Sequence, residues 1–134
     1  MEKIERTRIL IVDDHKGFRD GIKTLINREV DMEVVGEAEN GQVAIALAGN
    51  LQPDIILMDV SMPVMDGIEA TRRIIAKMPG MKILALSMYS DTIFNTGMMR
   101  AGVQGYLVKG DDFKEFLKII RRVARSRNPD QTNS

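Results

Sequence analysis

The chain contains no cysteine, and that one absence removes disulfides, thiolate metal sites and cysteine nucleophiles together. Such a composition fits a reducing compartment, so a cytoplasmic location is the expectation. Nor is there surplus charge of either sign, since 19 lysines and arginines balance 19 aspartates and glutamates. No overall field draws the chain towards nucleic acid or a membrane surface, and direct nucleic-acid binding by this stretch is not expected. No apolar run reaches the ~18 residues needed to cross a bilayer, and the opening MEKIERTR lacks the apolar core of a secretion signal. There is no Walker loop and no GxGxxG, which removes the nucleotide-binding readings. Histidine occurs once, at His15.

What is present is an ordinary globular composition, 44% hydrophobic and 28% charged over 134 residues, the size of one well-covered domain. Short apolar runs alternate with helical patterns throughout. Residues 8–13 (RILIVD), 54–59 (DIILMD), 82–87 (KILALS) and 105–109 (GYLVK) read as strands rich in Ile, Leu and Val without strict alternation. That pattern suits a parallel sheet buried on both faces. Residues 32–38 (MEVVGEA) form a weaker fifth strand at an edge. Between them, Phe18, Ile22, Leu25 and Ile26 make one apolar stripe at helical spacing, and Ala44, Leu47, Ala48 and Leu51 a second. A third helix is expected over 67–77, a poorer one over 91–101 with Gly97 in its middle, and the best over 112–127. Five strands alternating with five helices imply right-handed crossovers and an open α/β sheet.

The polar residues that end these strands carry the information. The first strand ends in Asp13 and Asp14, the third in Asp59, the fourth in Ser87 and the fifth in Lys109. In open α/β sheets the functional crevice lies beyond the carboxyl ends of the strands. A lone aspartate there is usually a helix cap; three carboxylates, a hydroxyl and an ammonium from four strands make coincidence a poor explanation. Three carboxylates brought together resist joint ionisation, and a hard divalent cation such as Mg2+ removes that conflict. The same set suits phosphoryl transfer, in which cations neutralise the equatorial oxygens and an aspartate can be the nucleophile.

These segments resemble a response-regulator receiver domain of two-component systems, over roughly residues 6–127. The resemblance is carried by ILIVDDH at 9–15, DIILMDVSMPVMDG at 54–67, LSMYSD at 86–91 and GYLVKG at 105–110. With DDH in the first motif, it is similar to the NarL/FixJ subfamily of transcriptional regulators. It implies a doubly wound, flavodoxin-like fold with strand order 2-1-3-4-5, and a switch whose phosphoacceptor is Asp59. By the same resemblance Asp14, Asp59 and the main-chain carbonyl of Ser61 would hold Mg2+, with Asp13 acting through water. Ser87 and Lys109 would contact the phosphoryl group, and Ser87 with Tyr106 would form the switch. Without the resemblance, Tyr106 reads as a half-buried strand tyrosine. The implied partners are a sensor histidine kinase and, on phosphorylation, a second copy of the chain. The implied activity is a regulatory phosphoacceptor, not an enzyme that turns over a substrate. DNA would be reached through a C-terminal helix-turn-helix domain outside this sequence, with the polar tail 128–134 read as the start of the linker. The alternatives are a free-standing receiver and a phosphate-independent receiver-like module that acts by protein–protein binding.

Several positions depart from the pattern or tempt a further reading. Gly110 follows Lys109 where many receivers have proline in a cis peptide, and a cis bond at 109–110 is expected if Lys109 is to reach the phosphate. Lys16 stands where the subfamily often has proline, altering only the start of the first helix. Tyr89 is expected to slow dephosphorylation by shielding the site from water. His15 reads as a solvated residue opening the first helix more readily than as a metal ligand. Met98 and Met99 are expected to mark an adaptable partner surface. The basic face of the last helix, including Arg121 and Arg122, reads as a solvated face or a dimer or kinase contact. A dehalogenase-type aspartyl phosphatase would need a second aspartate at position 61, where serine stands. A flavodoxin-like carrier would need a hydroxyl- and glycine-rich loop after the first strand, which DDHKGF is not.

Overall fold

In the computed structural model, which describes residues 5–88 and 92–126, the sheet is built from both-face-apolar strands. The order is β1 (Thr7–Val12), α1 (Lys16–Asn27), β2 (Met32–Ala38), α2 (Gly41–Leu51), β3 (Ile55–Asp59), α3 (Gly67–Lys77), β4 (Lys82–Ser87), α4 (Thr92–Ala101), β5 (Gly105–Val108) and α5 (Phe113–Arg125). All neighbouring strands pair in parallel in the order β2-β1-β3-β4-β5, the doubly wound, flavodoxin-like architecture expected from sequence. Tyr89 and the tail 128–134 lie outside the described residues.

Because side chains alternate across a strand, each central strand feeds two cores. Ile9, Ile11, Ile55, Leu57, Leu84 and Leu86 face α1 and α5, where Ile22, Ile26, Phe116 and Ile120 close the layer. Leu10, Val12, Ile56, Met58, Ile83 and Ala85 face α2, α3 and α4, meeting Ala44, Ala48, Ala70, Ile74 and Met98. The continuous apolar runs in the sequence are the signature of this double burial. The second layer uses alanines at positions where the first uses isoleucine and phenylalanine. α4, the helix with a glycine in its middle, lies close against α3: a Cβ on Gly97 would stand 2.7 Å from Ile68 Cδ1.

Met98 is fully buried in this layer, whereas Met99 is 52% exposed. The two methionines therefore do not share a partner surface, which corrects the expectation for Met98. A one-residue offset along a helix turns the side chain by about 100°, enough to separate core from solvent.

Helix starts follow local chemistry. Asn40 accepts from Val43 N and Asp66 from Glu69 N, both at 2.9 Å, satisfying amides that the first helical turn leaves open. At the opposite, lower rim, the chain is fastened by long basic side chains. Arg8 N donates to Asp54 Oδ2 at 2.8 Å, and Arg8 Nη1 donates to the carbonyls of Leu51 and Gln52 at 2.9 Å each. Lys82 Nζ donates to the carbonyls of Ala124 and Ser126 at 3.1 and 2.8 Å, covering the open acceptors at the end of α5.

Arg121 is engaged within the molecule. Its guanidinium donates to both oxygens of Asp31 (2.8 and 2.9 Å) and to Glu29 (2.8 Å), tying α5 to the turn before β2. The paired charges hold Asp31 below its ordinary pKa and Arg121 above its own, led in each case by the hydrogen bond between them. With the pairs partly exposed, Arg121→Ala should cost about 1 kcal/mol. Urea unfolding at low and at molar salt checks this, because salt should shrink the difference between wild type and variant.

Candidate functional site

β1 and β3 are neighbours at the point where the strand order reverses, and their ends open the crevice that doubly wound sheets use for function. Asp13 and Asp14 follow the last residue of β1, and Asp59 is the last residue of β3. Asp59 pairs in register with Leu86, so Ser87 stands one step further along the adjacent strand; Ser87 in turn pairs with Val108, and Lys109 follows. Register alone thus carries all these residues to one rim.

Side chains then converge. Ligand atoms of Asp13, Asp14, His15 and Asp59 lie within 4.8 Å of one another. Lys109 Nζ is 2.7 Å from Asp13 Oδ2, outside the angles of a directed hydrogen bond, and 3.3 Å from Asp59 Oδ1. Asp13 is wholly buried and Asp59 is 6% exposed, while Asp14 is at the surface. Asp59 Oδ1 accepts from Val60 N at 2.9 Å; Asp59 Oδ2 is buried and has no hydrogen-bond partner among the described residues. An open cleft of about 510 Å³ lies over this group, lined by His15, Phe18, Asp59, Ser61, Met88 and Lys109.

The electrostatics follow from burial. Desolvation, followed by the neighbouring Asp13 charge, raises the Asp59 carboxyl from 3.8 to about 6, with Lys109 pulling the other way. Burial also works against the Lys109 charge, but contact with Asp13 and the charges of Asp59 and Asp13 outweigh it and hold the ammonium above its ordinary pKa. One lysine cannot compensate three carboxylates. A buried oxygen without a donor, flanked by a second buried carboxylate and an open third, is the environment a hard divalent cation satisfies. The residues present fit Mg2+.

Ser87 is brought to the rim but is 2% exposed, beneath the cleft and not in its lining. Tyr106 is half-buried against the layer formed by α2, α3 and α4, as the strand reading expects. The peptide at 109–110 is trans, since no cis bond occurs among the described residues. This corrects the expectation: the turn after β5, with Lys109 N donating to Ser87 O at 2.9 Å, delivers the ammonium to both carboxylates without a cis bond.

Three contributors went unnoticed in sequence. Arg19 Nη1 donates to the Asp13 carbonyl, while its Nε reaches Glu37 at 3.3 Å, and Lys23 holds the other oxygen of Glu37 at 2.9 Å. Phe18, read as part of the first apolar stripe, places its ring 5.0 Å from Lys109 Nζ, within the range of a cation–π contact. Gly67 N donates to Val60 O at 2.8 Å, and its missing Cβ leaves room for the main-chain carbonyl of Asp59. Only Gly67 left a signal, as the last residue of DIILMDVSMPVMDG.

Known proteins share this arrangement of fold and sequence. Residues 9–121 match the family described as response regulator receiver domain. The chain is similar to the transcriptional regulatory protein DegU of Brevibacillus brevis, 38% identical over 120 residues that cover 90% of this chain and 51% of that protein. It is also similar to the response regulator GacA of Pseudomonas aeruginosa, 38% identical over 116 residues, 87% of this chain and 54% of that protein. The chain thus spans about half the length of the curated relatives it matches. Among solved structures it resembles a two-component response regulator of the LuxR family from Aurantimonas sp. SI85-9A1, with TM-score 0.84, 35% identity and coverage of 94% and 92% of the two chains. The response regulator domain of Thermotoga maritima CheB gives TM-score 0.83 at 29% identity, covering 93% and 99%. With the acidic rim, the strand order and these likenesses together, the chain belongs to the response regulator receiver domain family of two-component systems, in its NarL/FixJ-type branch.

Proposed function

We propose that this domain is a phosphorylation-dependent signalling switch in which Asp59 accepts a phosphoryl group from a sensor histidine kinase. The observation that carries this is the buried, unpartnered Asp59 Oδ2, held beside Asp13, Asp14 and Lys109 at the mouth of a cleft. An Asp59 oxygen forms the bond to phosphorus as the phosphorus–nitrogen bond of the donor's phosphohistidine breaks, the electron pair leaving on the imidazole. With its carboxyl at about 6, Asp59 is mostly ionised at neutral pH and available as the nucleophile. Mg2+, held by Asp14, Asp59 and the Ser61 carbonyl with Asp13 acting through water, would supply charge neutralisation on the transferring group.

Lys109, now spent on Asp13 and Asp59, stands where it can turn to a phosphoryl oxygen, and the Ser87 hydroxyl can donate to another. Drawing Ser87 towards the phosphate opens room for Tyr106 to turn inward. This biases a two-state equilibrium, because the phosphate contacts exist in one state only. The output is control of transcription through a helix-turn-helix domain outside this chain, with pairing to a second copy on phosphorylation.

Intact-mass measurement after incubation with acetyl phosphate and Mg2+ tests the reading. One added phosphoryl group is expected, dependent on Mg2+ and absent from Asp59→Ala. An adduct that persists in Asp59→Ala overturns the assignment of the acceptor. The absence of any adduct together with absence of Mg2+ binding overturns the switch, leaving a module that acts by protein binding alone.

A further inference from the structure

We propose that His15 is a metal ligand, and that through its Nδ1 the acidic cluster takes a first-row transition ion such as Zn2+ more tightly than Mg2+. The proposal rests on reading the cluster as a cation site. The sequence favours a solvated histidine at this position, and the side chain is indeed 69% exposed. Its ring nonetheless folds back over the acids: Nδ1 lies 3.1 Å from Asp13 Oδ1 and 3.2 Å from Asp14 Oδ1.

The Nδ1–Asp13 contact is a hydrogen bond here, and both separations are also close to the ligand spacing of a tetrahedral ion. With bonds of about 2.0–2.1 Å to nitrogen and oxygen, two ligand atoms stand about 3.3 Å apart. The ring is also pre-positioned, because His15 N donates to Asp13 Oδ1 at 2.8 Å and fixes the residue at the mouth of α1. Independently of the histidine, Asp59 Oδ2 is buried, lacks a partner among the described residues and belongs to the same cluster. Its side chain is 9% exposed. The donor set is therefore one imidazole nitrogen and three carboxylates. Imidazole suits zinc and its neighbours, whereas Mg2+ prefers oxygen ligands and retained water. Ligation needs the tautomer with its proton on Nε2, which leaves the Nδ1 lone pair facing the carboxylates and the ion between them.

The chain offers an unusually clean test, since it has one histidine and no cysteine. His15→Asn puts a polar amide near the place of Nδ1 and is a good helix N-cap, so it keeps the fold and the local hydrogen bonding while removing the imidazole. Zn2+ and Mg2+ affinities of wild type and variant are measured by competition titration. The His15 ring nitrogens of the wild type are followed by 15N NMR. The expected result is a Zn2+ dissociation constant raised at least about tenfold in the variant, with Mg2+ affinity changed less than about threefold. In the wild type, Nδ1 should shift with Zn2+ and not with Mg2+. Equal Zn2+ affinity in both proteins, with Mg2+ binding intact, overturns the ligand and leaves the cation site standing. Loss of both ions in the variant also overturns it, making His15 a positioning residue for the carboxylates. Failure of the wild type to bind any divalent ion overturns the ligand and the cation site together.

Discussion

Gly67→Ala is expected to destabilise the domain by about 3 kcal/mol and to abolish divalent-ion binding at the same stroke. A Cβ on Gly67 would overlap the main-chain carbonyl oxygen of Asp59 and press on Met58 Cγ at 3.0 Å. The neighbour that must yield is backbone, so no rotamer change can relieve it. Nor can the glycine withdraw, because Gly67 N is bonded to Val60 O and opens α3 just after the Asp66 cap. The strain is therefore delivered to the end of β3, which carries Asp59. Gly21→Ala is the control: it lies within α1 with nothing in reach of an added Cβ, and alanine's better helix propensity should stabilise it by up to about 1 kcal/mol. Urea unfolding of the two variants, with isothermal titration of Mg2+, separates the cases. A Gly67→Ala cost below about 1 kcal/mol would show that β3 can slide aside, and the account of how Asp59 is held would fail.

Asp59→Asn should have the opposite sign, stabilising the ion-free domain at neutral pH by about 1–2 kcal/mol. Folding raises the Asp59 pKa from 3.8 to about 6, so between those values the native state binds more protons than the unfolded chain. Stability consequently falls as pH rises through that window, and above it the ionised carboxylate leaves a penalty of up to about 3 kcal/mol. Asparagine removes the charge and keeps an oxygen for Val60 N, but it buries an amide NH2 where Asp59 Oδ2 has no hydrogen-bond partner among the described residues, hence the smaller net gain. Thermal melts in chelator at pH 4 and pH 7.5 should show the advantage of Asn vanish at the lower pH. Added Mg2+ should raise the melting temperature of the wild type far more than that of the variant. A less stable Asn variant at pH 7.5 would mean that Lys109 already compensates the carboxylate in full.

Asp59 was legible as a candidate from its place after DIILM, and much else at this rim was equally legible. Apolar runs of three or four residues, ILIV, IILM, ILAL and YLV, marked four of the strands, and the polar residue that stops each run marks where the strand reaches the rim of the sheet. Strand boundaries moved by at most a single residue: Asp13 and Lys109 fall just past β1 and β5, although their amides still bond to Ala38 and Ser87, the last residues of the neighbouring strands. What stayed hidden depends on paths through loops and on contacts distant in sequence. The trans bond after Lys109, the turn of His15 back over its neighbours, and the pairing of Arg121 with residues 90 and 92 positions away have no local pattern. Met98 and Met99 are the same residue type in one poor helix, and only the packing of α4 on α3 tells them apart.

The fastening of the lower rim bears on how the domain could change shape at all. Arg8 and Lys82 bind there to main-chain carbonyls and to Asp54, groups that no incoming ion or phosphate approaches. The upper rim has main-chain fastenings too, Arg19 to the Asp13 carbonyl among them, but there Lys109 also joins two carboxylates, and those partners can be traded. The lower rim is thus a fixed base: a rearrangement begun at the ligand end would be taken up by the side chains and loops beyond the strand ends, while the bases of the strands keep register.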